Sequence, residues 1–151
     1  MSARTACRVL LLCCALPTAC AVPRAPPTTP AAQRDAAGPV QRLLEAFNAH
    51  DVEAMTRHVA EDVQWLSAQG GALRVETEGR AALAEAMTGY FRSLPSARSE
   101  VEALLVSGDF VAVRERVHWE QDGQPRSQAA LAVYELRGDL VARVMYFAAE
   151  R

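Results

Sequence analysis

The last third of the chain alternates between apolar and polar residues, and few folds accommodate such a pattern. The alternation runs through four stretches, at residues 101–107, 110–121, 126–136 and 140–147. Short turns separate the stretches, and one of them is Asp122-Gly123, the strongest short-range hairpin signal. A period of two places every second side chain on the same face of a strand. The sequence therefore predicts a four-stranded antiparallel meander.

Helical periodicity dominates the preceding part of the chain. Pro39 stands at the first position of a helix whose apolar face is formed by Val40, Leu43, Leu44 and Phe47. Asp51 is placed to cap a second helix, and a third helix opens at Gly79 and ends before Pro95. Two short strands, at residues 63–67 and 72–77, lie between the second and third helices.

This order predicts one α+β domain over residues 38–151, in the sequence α-α-β-β-α-β-β-β-β. Three N-terminal helices would pack on a curved, mostly antiparallel sheet. The chain length of 151 residues leaves no room for a second domain of ordinary size.

The first twenty residues have the pattern of a signal peptide. Arg4 and Arg8 precede an apolar run that is too short to cross a bilayer, and all four cysteines lie within residues 1–20. Residues 16–20, Leu-Pro-Thr-Ala-Cys, resemble a bacterial lipobox, which predicts lipidation at Cys20. The alternative is cleavage after Ala21, which would release a soluble secreted protein. Residues 21–37 are rich in Pro, Ala and Thr and read as a linker. We expect export to the bacterial periplasm or cell envelope.

The charged residues exclude several classes of function. From residue 38 onward the chain has 12 Arg against 17 acidic residues, which makes nucleic acid an improbable partner. All 16 basic residues are Arg. The absence of Lys excludes a Schiff-base amine and a phosphate-loop lysine. His50, His58 and His118 are not spaced as a metal site, and we expect neither a metal nor a cofactor.

Four segments carry a resemblance to a known family. They are LLEAFNAHDVEAMTRHVAEDVQW, EGRAALAEAMTGYF, GDFVAVRERVHWEQDG and LAVYELRGDLVARVMYF. In this order they resemble the SnoaL-like members of the nuclear transport factor 2-like superfamily, which share a cone-shaped fold with ketosteroid isomerase. The resemblance covers residues 38–148 and implies that fold. The superfamily includes isomerases, dehydratases, cyclases and hydrolases as well as noncatalytic binding modules.

The resemblance does not carry a mechanism to this chain. Ser67 stands where ketosteroid isomerase has its base, and Leu43 and Ala132 stand where that enzyme has its oxyanion donors. The polyketide cyclases of the superfamily have an acid on the last strand, and this chain has none between Asp139 and Glu150.

The Asp122-Gly123 turn fixes which residues of the meander share a face. A two-residue loop pairs Gln121 with Gln124 and brings Glu115 opposite Ala130. When the alternation is carried through the next turn, the interior face also receives Val141, Arg143, Met145 and Phe147. Small side chains at Ala130 and Ala132 leave space, so we expect a pocket above them.

The opposite face has an apolar centre that no helix remains to cover. Its central residues are predicted to be Leu131, Val133, Val144 and Tyr146. A contiguous exposed apolar patch usually marks an interface, and related folds often dimerise through this face. We therefore expect a homodimer.

Glu115 is the candidate catalytic residue, because it interrupts an otherwise apolar strand face. A buried carboxylate is costly unless it is paired or protonated. One interpretation is a general acid or base inside the pocket. The alternative is a structural ion pair with Arg143 or a position at a water-filled mouth, and Arg143 would otherwise clamp a ligand carboxylate.

The predicted pocket lining is mostly apolar and aromatic, although aromatic residues at these spacings also fit an ordinary core. The predicted residues are Trp65, Met87, Tyr90, Val113, Val117, Trp119, Gln128, Ala130, Ala132, Tyr134, Arg143, Met145 and Phe147.

The sequence thus predicts an exported domain that binds a small, largely apolar ligand. A general acid/base enzyme of the isomerase, dehydratase or cyclase type, using Glu115 with Arg143 and Tyr134 as orienting groups, is one alternative. A noncatalytic envelope scaffold is another. Contact with a membrane is expected through the lipid anchor only.

Overall fold

A computed structural model describes residues 35–150, which form three helices and one six-stranded sheet. The helices are α1 (Gly38–Asn48), α2 (Val52–Arg57) and α3 (Arg80–Ser93). The strands are β1 (Val59–Gln69), β2 (Ala72–Glu78), β3 (Arg98–Ser107), β4 (Phe110–Gln121), β5 (Gln124–Arg137) and β6 (Leu140–Tyr146). The predicted α+β class and the predicted order of elements are confirmed.

The predicted signal peptide and residues 21–34 of the predicted linker lie outside the described residues. Ala37, at the end of that linker, is fully buried in the core, so packing begins one residue before the predicted boundary. None of the helices within residues 35–150 has the length and apolarity needed to cross a membrane.

The helices begin as the sequence predicts. Pro39 occupies the first turn of α1, where its missing N–H group has no intrahelical partner to lose. The Asp51 carboxylate accepts a hydrogen bond of 2.8 Å from the Ala54 N–H group and so caps α2. Gly79 precedes α3 with a φ of +86°, in the left-handed region that favours glycine.

The strand order across the sheet is β2-β1-β6-β5-β4-β3. The predicted meander of β3 to β6 is antiparallel throughout. Asp122 and Gly123 both have positive φ, as a type I′ hairpin turn requires, and Glu115 faces Ala130 as predicted. The parallel pairing of β1 with β6 was not predicted. This pairing joins the first hairpin to the meander in a single sheet.

The predicted face assignment of β6 is wrong. The register between β5 and β6 shifts after Glu135, so that Leu136 pairs with Val141 but Glu135 pairs with Arg143. A bulge of one extra residue at Ala142 moves every following side chain to the other face. Arg143 and Met145 therefore lie on the outer face of the sheet.

The same bulge turns Val144 and Tyr146, predicted to be exterior, toward the helices. Val144 is fully buried, and Tyr146 pairs with Ala132 on the inner face. Phe147 follows the last strand and is 41% exposed. The core between the inner face and the three helices contains these large, fully buried side chains: Tyr134, Leu43, Met55, Leu83, Val40, Val59, Val63, Val111, Val113, Val141 and Val144.

Candidate functional site

A cavity of about 270 Å³ lies between the helices and the inner face of the sheet. All three helices and three strands contribute side chains to it. The lining residues are Leu43, Leu44, Phe47, Met55, Trp65, Met87, Tyr90, Glu115 and Tyr146. Glu115 is the one charged side chain in this lining. The cavity is therefore apolar with a single carboxylate in its wall.

Glu115 is 3% exposed and is the only buried polar or charged side chain among the residues whose burial the structure describes. Its position follows from β4, where it alternates with the buried residues Val111 and Val113 on the inner face. Burying a carboxylate costs several kcal/mol unless hydrogen bonds replace its water. The surrounding strands supply such hydrogen bonds.

Three hydroxyl groups donate to the Glu115 carboxylate. Tyr146 donates to Oε2 at 2.7 Å and Tyr134 donates to the same oxygen at 3.0 Å. The Ser99 hydroxyl donates to Oε1. A carboxylate has about four acceptor positions. Hydroxyl groups of three described residues fill three of them.

The serine donor is held in place from α1. The Asn48 side chain accepts a hydrogen bond of 2.7 Å from the Ser99 N–H group and donates one of 2.9 Å to the Ser99 carbonyl oxygen. Both backbone groups of Ser99 are thus bonded to one side chain at the end of α1. This clamp sets the position of the Ser99 hydroxyl relative to Glu115.

Burial keeps the tyrosine donors protonated. Burial, with the nearby Glu115 charge, raises the pKa of Tyr134 well above its ordinary value. The pKa of Tyr146 is also raised well above its ordinary value, by burial and by the neighbouring Tyr134 and Glu115. Both phenols therefore remain O–H donors across the physiological range.

Aromatic rings form much of the remaining wall. Trp65 stacks on Tyr146, with ring centroids 5.7 Å apart and planes 21° from parallel. Phe47 and Tyr90 meet with centroids 5.8 Å apart. Tyr90 also has a raised pKa, because it is partly buried and close to the Glu115 charge.

Four of the predicted site residues line the cavity, namely Glu115, Trp65, Met87 and Tyr90. Tyr134 does not line the cavity, but its hydroxyl group donates a hydrogen bond to Glu115, which does. Val113 and Ala132 are fully buried core residues, and Gln128 is exposed toward the hairpin end of the sheet. Val117, Trp119 and Ala130 are partly buried and, like Ala132, do not line the cavity, so the prediction of a pocket centred above Ala130 and Ala132 is wrong.

Three predicted lining residues lie elsewhere, because of the bulge in β6. Met145 is on the outer face and Phe147 is exposed beyond the strand. Arg143 donates to Glu135 at 2.7 Å and to the Gln64 side chain at 3.2 Å. The predicted pairing of Arg143 with Glu115 is therefore wrong, and Arg143 is not a ligand clamp in this cavity.

Several residues at the site were not predicted. The apolar face of α1 was recognised, but its contribution of Leu43, Leu44 and Phe47 to the cavity was not. Ser99 gave no signal, since its approach to Glu115 depends on a register shift within β3. Tyr146 was predicted to face outward.

The other candidates for chemistry have ordinary structural partners. Ser67, in the position of the ketosteroid isomerase base, donates to Glu76. The ring of His50 stacks on Phe91, and His118 lies 3.2 Å from Glu100. Within the described part of the chain, no three His, Cys, Asp or Glu side chains come together as metal ligands.

Comparison with known proteins gives a family and a fold. The family model described as SnoaL-like domain matches residues 40–144. No curated protein matches the chain. A cystatin-fold protein from Novosphingobium aromaticivorans is 24% identical with a TM-score of 0.65, over 75% of this chain and 97% of that one.

Two further solved structures have the same architecture. A candidate polyketide cyclase from Xanthomonas campestris is 26% identical with a TM-score of 0.57, over 77% of this chain and 91% of the other. A protein of ketosteroid isomerase-like fold from Catenulispora acidiphila, in complex with trimethylamine, is 14% identical with a TM-score of 0.63, over 73% and 84% of the two chains.

Proposed function

This chain belongs to the SnoaL-like domain family, and we propose that it binds a small, largely apolar molecule in the cavity beneath its helices. One observation carries the proposal. Glu115 is buried in the wall of an otherwise apolar cavity, and the described residues fill three of its roughly four acceptor positions. The apolar lining would bind the body of the ligand, and Glu115 would recognise its polar group.

The free-energy cost of burying the Glu115 carboxylate supports a role for this residue beyond packing. A leucine at this position would fill the space without the desolvation cost of a carboxylate, and buried ion pairs or charges are often replaced by apolar groups without loss of stability. The chain instead assigns three hydroxyl groups, on β3, β5 and β6, to this side chain. Such an arrangement is typical of sites that recognise or react with a ligand.

A variant that fills the cavity tests the binding function. In Met87→Trp the indole would occupy space between α3 and Glu115. In the matched control, Ala86→Trp, the same side chain is introduced at the neighbouring, exposed position of α3. In a thermal-shift screen of one-ring compounds, we expect hits for the unmodified chain and the control, and none for Met87→Trp. Equal hits for all three proteins would place binding outside this cavity.

A proton-transfer enzyme is the second candidate function. The position of Glu115 in the cavity wall favours it, because a general base needs a carboxylate oxygen that a substrate can reach. The Glu115 carboxylate would take a proton from a bound substrate, and Tyr134 and Tyr146 would keep donating to Oε2 as the charge on the carboxylate changes. With Arg143 on the outer face, the tyrosines and Ser99 are the orienting groups.

Glu115→Gln separates the candidate functions. For a binding domain, the change weakens affinity, since the amide cannot supply the same charge. For an enzyme, turnover is lost while affinity changes little. For the scaffold alternative, neither measurement changes. Glu85→Gln, on the exposed surface of α3, is the control for an unspecific effect of removing a charge.

We also propose export and lipid anchoring, from the amino-terminal sequence. Arg4, Arg8, the apolar run and Cys20 support a lipoprotein signal, and the segment between Cys20 and the buried Ala37 would separate the domain from the membrane. Labelled palmitate should enter the protein, and the label should be lost in Cys20→Ala. Equal labelling of both proteins, or of neither, would contradict anchoring at Cys20.

The outer face of the sheet supports the further proposal of a homodimer. Cross-strand partners form one apolar row across all six strands, and we call it the outer apolar row: Val75, Leu66, Met145, Val133, Ala112 and Leu105. Val75 is 50% exposed and Leu105 is 59% exposed. Ion pairs flank the row, with Arg143 and Glu135 on one side and Arg114 and Glu102 on the other. An apolar centre with a charged rim is the usual composition of an interface.

A further inference from the structure

We propose that the ligand of the cavity is a protonated amine carried on an apolar body of about one ring. This inference rests on the proposed binding function and names the chemical class that the site would accept. Four features of the cavity support it, namely its charge, its aromatic rings, its size and its hydrogen bonds.

The first argument is an uncompensated charge. Among residues 35–150 the arginines that form ion pairs do so with other carboxylates, and none pairs with Glu115. The three groups that donate to Glu115 are neutral hydroxyls. The cavity lining contains no Arg or His. A buried carboxylate in this setting attracts a cation more strongly than an exposed one, because little water screens it.

The second argument is the composition of the wall. The faces of aromatic rings carry negative potential and attract cations, Trp most strongly. Trp65 and Tyr146 form a stacked pair in the wall, and Phe47 and Tyr90 form a second pair. Met55 and Met87 add polarisable thioether side chains to the lining. A carboxylate next to aromatic rings is the combination that binds alkylammonium groups.

The third argument is size. An apolar cavity of about 150 Å³ is large enough to hold benzene, and this cavity has about 270 Å³. It would therefore accept a single ring with a short amine-bearing side chain. A four-ring steroid would not fit without movement of the helices.

The fourth feature is the type of hydrogen bond that a ligand could form with the Glu115 carboxylate. An ammonium N–H group of a bound ligand would add a charge-assisted bond to the Glu115 carboxylate. A ligand carboxylate would be repelled, and a neutral hydroxyl would form the weaker bond. At 14% identity the likeness to the Catenulispora protein extends to the fold alone, so the assignment depends on Glu115 and the surrounding rings.

A series of three one-ring compounds tests the assignment on the full-length chain. Benzylamine is cationic at neutral pH, benzyl alcohol is a neutral analogue of similar shape, and benzoate is an anion. In isothermal titration calorimetry we expect benzylamine to bind at least about tenfold more tightly than benzyl alcohol, as a charge-assisted bond implies. Benzoate should give no binding heat.

Two outcomes would overturn the inference in different ways. If benzyl alcohol or benzoate binds as tightly as benzylamine, the cavity binds small molecules without preferring a cation, and the proposed function survives. If none of the three binds, the amine assignment fails together with the proposed pocket for one-ring molecules.

Glu115→Gln provides a second readout. The preference for benzylamine over benzyl alcohol should disappear in this variant and remain in the control Glu85→Gln. A preference that persists without the Glu115 charge would overturn the inference. The compound series on the unmodified chain gives its answer whether or not the variant folds.

Discussion

Glu115 depends on hydroxyl groups from three different strands. Ser99 comes from β3, Tyr134 from β5 and Tyr146 from β6, so the geometry of one carboxylate reports on the assembly of most of the sheet. The bonded groups are buried or half-buried, and each donor removed leaves part of a buried charge without a partner.

The serine donor gives the first prediction. Ser99→Ala should lower the free energy of unfolding by about 1–3 kcal/mol, because a buried charged acceptor loses one hydrogen bond. Chemical denaturation measures the change. The control is Ser107→Ala, at the exposed end of β3, which should stay within about 0.5 kcal/mol of the unmodified protein. If Ser99→Ala and Ser107→Ala lower the free energy of unfolding equally, the hydrogen bond from Ser99 to Glu115 does not stabilise the fold.

The tyrosines give a prediction about alkaline pH. The chain has three tyrosines, Tyr90, Tyr134 and Tyr146, and the pKa of each is raised in the folded protein, chiefly by burial. Above the ordinary tyrosine pKa of about 10, the unfolded chain loses phenol protons that the folded chain retains. The free energy of unfolding therefore falls as the pH rises above about 10. Below this pH the buried tyrosines contribute fully to the stability of the folded state.

Phenolate absorbance and denaturation at increasing pH measure these two effects. We expect little phenolate signal until the protein unfolds, and a stability that falls with a smaller slope in Tyr134→Phe. Phenolate absorbance from all three tyrosines at about pH 10, in a protein that is still folded, would contradict the burial of these side chains.

Among the elements, α1 and β3 are joined by one side chain. Asn48 bonds both backbone groups of Ser99, and this contact links the end of the first helix to the strand that carries a Glu115 donor. Residues 51 positions apart in the chain are connected in this way.

Asn48→Ala should therefore affect both stability and binding. We expect a loss of about 1–3 kcal/mol in the free energy of unfolding, since two half-buried hydrogen bonds disappear. We also expect weaker binding of the cavity ligand, because Ser99 is no longer fixed. Asn48→Asp keeps the acceptor oxygen and removes the donor. Its free energy of unfolding and its ligand affinity should lie between those of the unmodified protein and those of Asn48→Ala. Unchanged ligand affinity in Asn48→Ala would show that the clamp does not act on the cavity.

The sequence predicted the strands and helices better than it predicted the faces of the last strand. The register of β4 with β5 followed from Asp122-Gly123, whose turn geometry has few alternatives. In β6, Val141 and Ala142 are both buried, and apolar residues follow on both faces. The alternation could not reveal the extra residue at Ala142. Because of this one bulge, Val144 lies at the inner face where the sequence predicted Arg143.

For the site, the sequence predicted the carboxylate but not its partners. Glu115 was conspicuous because its neighbours on the strand face are apolar. Ser99, Asn48 and Tyr146 reach it through long-range pairings and bulges, which local patterns do not encode. The cavity itself depends on how three helices seat on the sheet.

At the scale of the whole molecule, the outer apolar row predicts how the domain associates. Val133→Arg places a charge at the centre of the row, opposite Met145 and Ala112. We expect light scattering to give a dimer mass for the unmodified protein at micromolar concentration and a monomer mass for Val133→Arg. Thr88→Arg, on the exposed side of α3, should stay dimeric. A monomer mass for the unmodified protein would contradict the dimer.

The two faces of the sheet are thus proposed to have separate roles, with association on the outer face and ligand binding on the inner one. The Val133→Arg protein should bind the cavity ligand with the affinity of the unmodified protein, because Glu115 lies on the opposite face. Loss of binding on dissociation would mean that the cavity depends on the second copy.

Native mass spectrometry of the protein purified from its own host tests whether the cavity beneath the helices holds a ligand. We expect a small molecule that stays bound in the gas phase, is released on denaturation, and is absent from Met87→Trp purified in the same way. If Met87→Trp retains every small molecule that the unmodified protein retains, and to the same extent, this cavity is not the binding site.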